Sequence, residues 1–548
     1  MRNGFNSDNE FCFGRHDDIG AAAAEDDNDF LGECFINTGD LDALLDSRSP
    51  KRIIIGRTGA GKSALLTHID SACENVIKLS PHSLSLNYIA NNNVIEFFEE
   101  AGVNLSVFYG LLWRHVLVVE LLKKKFNITS ENSQKDYTSH IRRILSKKDK
   151  FKEMAVDYLE QWGNRFWLTT EERMHELTQK IEKSLSSSVG GNLSGFDLSA
   201  NGAHKLSEEQ RRQIIQIGKR VVSEIQIREL ENIITLLAEE VFTDKQQKYY
   251  IIIDGLDEEW VDERIKYKLI KSLIDAIRRF KIINNVKILV AMRQDLLDKV
   301  VHTSRELGFQ EEKYESLYLR LGWEKNDLKD MVNKRIGFLI RRKYTKKSVG
   351  WSDIFPANID QTPTLDYLVE RTFNRPRDMI AFMNECIVSA SGEATISAHN
   401  IKLAEEQYSY KRLQSLATEW QIIYPELFEV AQMFFGMPHR FKLSTANEKW
   451  FEEKYLEILD SLSGKELCPI VNLLNGMYST TGNFSSARNT FFRGFYNTGL
   501  IGIKTGTNSA IHWSHKTSRS ISPGQLKPSS SIYIHPMFYK ALGINLSN

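Results

Sequence analysis

Eight consecutive residues read Gly-Arg-Thr-Gly-Ala-Gly-Lys-Ser and fit the pattern G-x-x-x-x-G-K-[ST] in full. Glycines allow backbone conformations that turn successive amides toward phosphate oxygens. In this pattern the Lys62 ammonium can reach the β- and γ-phosphates of a nucleotide, and the Ser63 hydroxyl can bind Mg²⁺. The spacing therefore predicts a phosphate-binding loop. The residues expected to contact the nucleotide here are Gly56, Arg57, Thr58, Gly59, Ala60, Gly61, Lys62, Ser63 and Ala64.

A second group of charged residues follows the apolar run Tyr249–Ile253. Asp254 comes directly after this run, and Asp257 and Glu258 follow closely. Carboxylates this near one another are costly unless a cation lies among them. Mg²⁺ bound between Asp254 and Ser63 would supply that cation. Hydrolysis of a nucleotide also needs a residue that orients the attacking water, and both Asp257 and Glu258 have the required reach.

The elements around these residues must place them at one edge of a sheet. The run Lys51–Ile55 predicts a strand that leads into the loop, and the residues from Ala64 onward predict a helix. Strands are predicted at 249–253 and 286–291, with a helix at 261–280 between them. Alternating strands and helices are typical of an α/β core with a parallel sheet. Asp254 is expected to end a strand that lies beside the phosphate loop.

The run Ile251–Glu258 resembles the second nucleotide motif of NACHT-type STAND ATPases, signal-transducing P-loop proteins of the AAA+-like group. This resemblance implies that Asp254 is the Mg²⁺ carboxylate and that Asp257 or Glu258 activates water. The run Lys287–Arg293 resembles the sensor strand of the same family. It implies that Arg293 contacts the γ-phosphate, which an arginine can bind only while the third phosphate is present.

The resemblance extends to Asn374-Arg375-Pro376-Arg377, which is similar to the helical-lid motif of the family. It implies that Pro376 packs on the adenine and that Arg377 acts as a second sensor. The spacing between Ser63 and Asp254 exceeds what a compact core requires, so a large helical insertion is expected between them. An arginine finger cannot be selected, although Arg278 and Arg279 close a predicted helix.

The C-terminal region predicts a mixture of helices and short strands. Its order resembles a winged-helix domain, which STAND ATPases commonly carry after the lid. From Leu467 to Asn548 there is no Asp or Glu. A DNA-binding role through 485–527 and a regulatory or assembly role both remain open. The predicted elements are helices at 466–474, 485–497 and 536–542 and strands at 500–504, 510–514 and 531–534, and the basic residues placed for DNA are Arg488, Arg493, Lys504 and Lys516.

Bulk composition narrows the class of protein. The formal net charge is zero, so no global field favours nucleic acid or membrane. Five cysteines are scattered singly, which favours reduced thiols in a cytoplasmic protein over a metal or disulfide framework. The apolar stretch Ser106–Phe126 contains Arg114, His115 and Glu120, so it predicts a buried helix and not a membrane span.

The sequence thus predicts an α/β P-loop NTPase core with a parallel sheet, a large helical insertion, a helical lid and a C-terminal winged-helix domain. The predicted function is a Mg²⁺-dependent ATPase that works as a conformational or assembly switch, with ATP and Mg²⁺ as ligands and a homo-oligomer or a separate effector as partner. A setting in bacterial phage defence is implied by the resemblance alone. The alternative is a DNA-binding AAA+-like ATPase of replication, repair or mobile elements. The predicted divisions are an acidic lead-in at 1–45, of which 1–30 is expected to be weakly ordered, core at 46–91, insertion at 92–245, core at 246–325, lid at 326–425 and winged helix at 426–548.

Overall fold

A computed structural model gives the fold of the chain. It divides into two compact units, one made of Gly39–Gly56 and Lys62–Leu321 and the other of Met1–Thr38, Arg57–Gly61 and Gly322–Asn548. We call them the sheet unit and the helical unit. The residues that the structure describes are 11–81, 97, 99–126, 207–212, 214–216, 234–235, 237–305, 311–343, 349–462, 472–473, 476, 483–506, 508–516 and 521–546.

The secondary-structure elements alternate between strands and helices in the first part of the chain and are mainly helical afterwards. The helices are α1 (Asn28–Cys34), α2 (Asp40–Leu45), α3 (Lys62–Ala72), α4 (Ser106–Phe126), α5 (Glu263–Phe280), α6 (Gln294–Arg305), α7 (Lys325–Lys343), α8 (Trp351–Ile354), α9 (Thr364–Glu370), α10 (Pro376–Ser389), α11 (Ala398–Glu419), α12 (Leu427–Ala431), α13 (Glu448–Ile458) and α14 (Phe484–Thr498). The strands are β1 (Ile53–Gly56), β2 (Val76–Leu79), β3 (Tyr249–Ile253), β4 (Val286–Arg293), β5 (Tyr318–Arg320), β6 (Asn358–Ile359), β7 (Thr362–Pro363), β8 (Arg440–Lys442), β9 (Ile501–Lys504) and β10 (Ser531–Ile534).

The sheet unit is built on five strands in the order β2-β3-β4-β1-β5, and every neighbouring pair is parallel. The central strands are buried along nearly their whole length, as expected when helices cover both faces of a parallel sheet. This confirms the predicted parallel sheet of an α/β core. Strand β4 pairs with both β1 and β3 and so lies between the phosphate-loop strand and the strand that ends at Asp254.

Helix α4 lies in the region predicted as a helical insertion. It is largely buried and packs on α5, and its Trp113 Nε1 donates a hydrogen bond of 2.9 Å to the Leu269 carbonyl. Among the described helices, none is both long enough and apolar enough to cross a membrane. Most of the predicted insertion, 92–245, falls outside the described residues.

The helical unit has its core between α7, α10 and α11. Phe382 of α10 and Tyr408 of α11 stack with ring centroids 4.3 Å apart. The N-terminal segment also packs here: Arg335 of α7 donates to Asp27 Oδ1 at 3.1 Å and to the Ile19 carbonyl at 2.7 Å, and both charged side chains are buried. The expectation of weak order is therefore wrong for residues 11–30, because a buried ion pair and apolar contacts hold them.

The last part of the chain contains an antiparallel sheet in the order β8-β10-β9. Helix α14 and strands β9 and β10 lie where the sequence predicts them, whereas β8 was not predicted. The predicted strand 510–514 is reduced to one bridge between Ile503 and His512, because the chain turns at 514–516. The predicted helix 536–542 is a single 3-10 turn, Pro536–Phe538, followed by turns of mixed hydrogen-bond spacing. The predicted helix 466–474 lies largely outside the described residues.

Candidate functional site

In the sheet unit, the end of β1 and the start of α3 carry the residues with the most direct chemistry. Lys62 Nζ donates a hydrogen bond of 3.0 Å to the carbonyl of Gly56, the last residue of β1. Ser63 Oγ donates a hydrogen bond of 3.0 Å to Asp254 Oδ2. Ala64 follows in the first turn of α3, so the predicted order of strand, loop and helix is present. The structure thus brings Ser63 and Asp254 together.

The acidic segment after β3 forms a tight turn. Gly255 has φ +77°, and its amide donates to Asp254 Oδ1 at 2.9 Å. The Glu258 amide donates to the Gly255 carbonyl at 3.2 Å, and a methyl carbon on Gly255 would lie 3.0 Å from Glu258 Oε1. The carboxylate of Glu258 therefore lies against the residue that follows Asp254. Asp257, Glu258 and Glu259 are all exposed.

Arg293 ends β4, the strand between the phosphate-loop strand and the acidic strand. Its guanidinium makes a bidentate ion pair with Asp295, with both nitrogen–oxygen distances at 2.9 Å. A third nitrogen, Nη1, lies 3.9 Å from Asp257 Oδ2. Arg293 is thus held between two carboxylates at the edge of the sheet where β3 ends.

Lys266 is a residue of this region that the sequence did not single out. Its side chain is buried, and Nζ donates to the carbonyls of Asp257 at 3.3 Å and Glu258 at 2.6 Å. Burial lowers the pKa of this lysine, although the nearby carboxylates of Glu263 and Asp257 oppose that shift. A lysine on the apolar face of the predicted helix 261–280 was the available signal.

In the helical unit, the loop residues Arg57–Gly61 contact the start of α10 and its surroundings. Gly59 and Gly61 have φ +77° and +99°, conformations that L side chains rarely adopt. A methyl carbon on Gly59 would lie 2.6 Å from Cβ of Arg377, so only glycine fits at this position. The backbone amide of Arg377 donates to the Gly59 carbonyl at 3.4 Å.

The lid motif places its arginines differently from the expectation. Pro376 is the first residue of α10, where proline is well tolerated, and Arg377 Nε donates to the Ala22 carbonyl at 3.1 Å. Arg375, which was not selected from the sequence, is the arginine whose side chain reaches the loop: its Nη1 donates to the Thr58 carbonyl at 2.5 Å. The roles of Pro376 on adenine and of Arg377 as a sensor stay predictions.

Arg57 also has contacts that the sequence could not indicate. Its Nη2 donates to the Asn497 carbonyl at 2.9 Å and to Ser514 Oγ at 3.0 Å. Its guanidinium lies 5.7 Å from the centre of the Phe373 ring. These partners link the second residue of the loop motif to the end of α14 and the segment after β9.

The residues predicted to meet DNA phosphates do not share one environment. Arg488 is buried beside the Phe484 ring, and burial lowers its pKa, so its side chain is poorly placed to neutralise DNA phosphate. Arg493 and Lys504 are half-buried, and Lys516 is exposed.

The two arginines that close the helix in the sheet unit are exposed. Of these, Arg278 lies 5.7 Å from the centre of the Tyr314 ring. Arg279 lies beside it at the end of α5.

Comparison with known proteins adds a local match and distant likenesses. Residues 326–417, less than half of the chain, match the family described as the FunZ-associated C-terminal helical domain. The Walker-type ATPase PABY2304 of Pyrococcus abyssi is 12% identical over 93% of this chain and 95% of its own, with a TM-score of 0.36. The ORC2 protein of Aeropyrum pernix, solved as ADPNP–ADP complexes, is 9% identical over 91% and 90%, with a TM-score of 0.32. No curated protein matches this sequence. Both TM-scores are low, so the function proposed below rests on the chain's own residues.

Proposed function

We propose that the chain is a Mg²⁺-dependent ATP hydrolase whose nucleotide state switches its conformation or its assembly. The observation that carries this proposal is the 3.0 Å hydrogen bond between Ser63 Oγ and Asp254 Oδ2, next to Lys62. The two partners are 191 positions apart, and each belongs to one of the two predicted nucleotide motifs. A glycine-rich turn of purely structural origin would not require this pairing.

The residues present suit Mg²⁺. Ser63 and Asp254 offer oxygen ligands, and proteins usually hold Mg²⁺ through one or two carboxylates together with substrate phosphates. In the part of the chain that the structure describes, no group of three or more His, Cys, Asp or Glu side chains is arranged to hold a metal by itself. When bound, Mg²⁺ neutralises charge that develops on the phosphates. Ser63 and Asp254 would hold the ion, and Lys62 would bind the β- and γ-phosphates.

We assign the orientation of the attacking water to Glu258. Its carboxylate lies against Gly255, the neighbour of the Mg²⁺ carboxylate, whereas Asp257 lies 3.9 Å from Arg293 and balances that charge. Lys266 holds the carbonyls of both acidic residues and so fixes the turn that carries them. A general base of this kind contributes roughly 10²- to 10⁴-fold to a rate.

The switching part of the proposal rests on Arg293. Its guanidinium is already paired with Asp295 and near Asp257, so a γ-phosphate would compete with these carboxylates for it. Loss of that phosphate would return Arg293 to its protein partners. A nucleotide that binds one conformation of the chain more tightly than the other shifts the equilibrium between them, and the size of the shift is set by the difference between the two affinities.

The C-terminal region would transmit the switch as a winged-helix domain. The chain order α12, β8, α13, α14, β9, β10, with β10 between β8 and β9, supports that assignment. The partner of the switched form is a second copy of the chain or a separate effector protein. A role in antiviral defence follows from the resemblance to STAND ATPases, and we propose it as the biological setting.

Measurement of Mg²⁺-dependent ATP hydrolysis together with molecular mass in solution tests this proposal. Wild type is expected to hydrolyse ATP and to change its mass or shape between ATP and ADP. Ser63→Ala should weaken the Mg²⁺ dependence, with Ser71→Ala on the exposed end of α3 as the matched control. Equal Mg²⁺ dependence in both variants would contradict the assignment.

A DNA-dependent function is the second candidate. It is favoured by the absence of Asp and Glu after Glu466 and by the exposed Lys516 and Lys527. Protein–DNA contacts of this kind weaken steeply with salt. DNA-stimulated ATP turnover that disappears between low and moderate salt would support this alternative, and turnover that is indifferent to DNA would exclude it.

A further inference from the structure

Three consecutive carbonyls of the phosphate loop accept hydrogen bonds from other residues of the helical unit, to which Arg57–Gly61 belong. Thr58 O accepts from Arg375 Nη1 at 2.5 Å, and Ala60 O accepts from Trp323 Nε1 at 2.9 Å. Between them, Gly59 O accepts from the backbone amide of Arg377 at 3.4 Å. We call these three donors, Arg375, Arg377 and Trp323, the carbonyl clamp.

The clamp has a direct consequence for the loop amides. The peptide unit is planar and trans, so a carbonyl and the amide that follows it point in opposite directions. Holding the carbonyls of Thr58 and Ala60 on one side therefore turns the amides of Gly59 and Gly61 to the other side. Both glycines have positive φ and no side chain, so their own conformational preferences define this direction weakly. The clamp supplies the missing constraint.

Arg375 is the best fixed of the three donors. Its Nε donates to Asp378 Oδ2 at 2.8 Å, and its Nη1 also lies 3.4 Å from Glu419 Oε2. Asp378 is completely buried, and Arg412 pairs with its other oxygen at 3.1 Å. The charges of Arg375 and Arg412 hold the pKa of Asp378 below its ordinary value against the effect of burial. A buried ion group of this kind is costly to break, so it holds the Arg375 guanidinium rigidly.

We propose that Arg375 is a positioning residue for nucleotide binding, which fixes the phosphate loop through the Thr58 carbonyl without touching the nucleotide itself. This inference rests on the proposed function, because it assumes that the loop binds nucleotide phosphates. Trp323 acts in the same way on the Ala60 carbonyl. Nucleotide affinity, and not the chemical step, is the quantity that depends on both residues.

The test compares three variants of the full chain: Arg375→Lys, Trp323→Phe and Arg412→Lys. Lysine at 375 keeps the charge beside Asp378 but lacks the separate Nε and Nη1 donors with which the guanidinium bonds Asp378 and the Thr58 carbonyl. Phenylalanine at 323 keeps an aromatic ring and removes the N–H donor. Arg412→Lys is the matched control, because it disturbs the same buried carboxylate and has no hydrogen bond to the loop. The dissociation constants of ADP and ATP, the saturated turnover rate and the melting temperature are measured for each.

The dissociation constant for both nucleotides is expected to rise roughly 10- to 100-fold in Arg375→Lys, as for the loss of a charged hydrogen bond. In Trp323→Phe the dissociation constant should rise about 3- to 10-fold, as for the loss of a neutral hydrogen bond, while turnover at saturation stays near wild type. Arg412→Lys should lower the melting temperature and leave the dissociation constants unchanged. The proposal is overturned if Arg375→Lys and Arg412→Lys shift the nucleotide affinity equally. If Arg375→Lys does not fold, the proposal is overturned when Trp323→Phe binds nucleotide as tightly as wild type does. Failure of wild type to bind any nucleotide would instead overturn the proposed function.

Discussion

A methyl group added to the phosphate loop tests whether the loop and the start of α10 lie as close as the structure places them. In Gly59→Ala the new carbon would lie 2.6 Å from Cβ and 2.8 Å from Cδ of Arg377. In Gly61→Ala it would lie 3.8 Å from the Trp323 ring, an ordinary contact. The two glycines have φ +77° and +99°, so both substitutions force an L residue into a disfavoured conformation.

The expected loss in the free energy of unfolding has two contributions, backbone strain and overpacking. A left-handed conformation costs an L residue about 1–2 kcal/mol, and this part is common to both variants. Overpacking adds roughly 1–3 kcal/mol, and this part applies to Gly59→Ala alone. The clash cannot be relieved by rotation of the Arg377 side chain, because Cβ is fixed to the backbone of α10. Gly59→Ala should therefore be less stable than Gly61→Ala by roughly 1–3 kcal/mol.

Urea unfolding of the nucleotide-free chain, followed by tryptophan fluorescence, measures this difference. Adding Arg377→Gly to Gly59→Ala removes the clashing Cβ and should recover part of the loss, whereas the same change added to Gly61→Ala should recover nothing. Equal destabilisation by the two alanines, or no recovery in the double variant, would refute the packing described here.

Two further predictions concern the acidic turn and a buried histidine. Glu258→Gln should keep ATP binding and lower turnover by about 100-fold or more, because it removes the group that orients the attacking water. Asp257→Asn should retain most of the turnover. Single-turnover hydrolysis distinguishes the two variants, and a larger loss in Asp257→Asn than in Glu258→Gln would contradict the assignment. Burial, and then the charge of Lys516, lowers the pKa of His535 to about 3. The unfolded chain therefore takes up a proton below about pH 6.5 that the folded chain does not, and stability should fall by up to ~1.4 kcal/mol per pH unit as the pH drops toward 3. In His535→Asn the side-chain carbonyl can accept a hydrogen bond from the Met537 amide, as the imidazole does. This variant should remove the contribution of His535 to the pH dependence of the free energy of unfolding, measured by urea unfolding at pH 4.5 to 7. An unchanged pH dependence would exclude His535 as its source.

The sequence predicted the parts of the site that are encoded in contiguous residues. The loop pattern and its strand and helix are local, and the apolar run before Asp254 defines a buried strand of the right length. The order of strands in the sheet could not be predicted in this way. Strand β4 lies between β1 and β3 and pairs in parallel with both, and no local spacing in the sequence encodes that pairing. The site could still form, since Ser63 and Asp254 meet across the edge of the sheet.

The residues that the sequence missed act through contacts between distant positions. Arg375 and Thr58 are 317 positions apart, and Arg57 and Asn497 are 440 apart. Selecting Arg377 over Arg375 was a choice between two arginines flanking a proline, and the sequence does not show that Arg375 pairs with a buried Asp378 and reaches the Thr58 carbonyl. Lys266 was hidden for a similar reason, since a lysine at a helical spacing usually lies in solvent and this one is held by carbonyls of the acidic turn.

The measurement that tests the central claim most directly is Mg²⁺-dependent ATP hydrolysis by the full chain, with Lys62→Ala and Asp254→Asn beside wild type. Lys62 and Asp254 belong to separate motifs, and Ser63 connects them. Wild type is expected to release phosphate only when Mg²⁺ is present. Each variant should lose at least about 100-fold in turnover, the loss expected when a charged contact to the transferring phosphate is removed. Normal turnover in Lys62→Ala, or hydrolysis by wild type that is indifferent to Mg²⁺, would contradict the account.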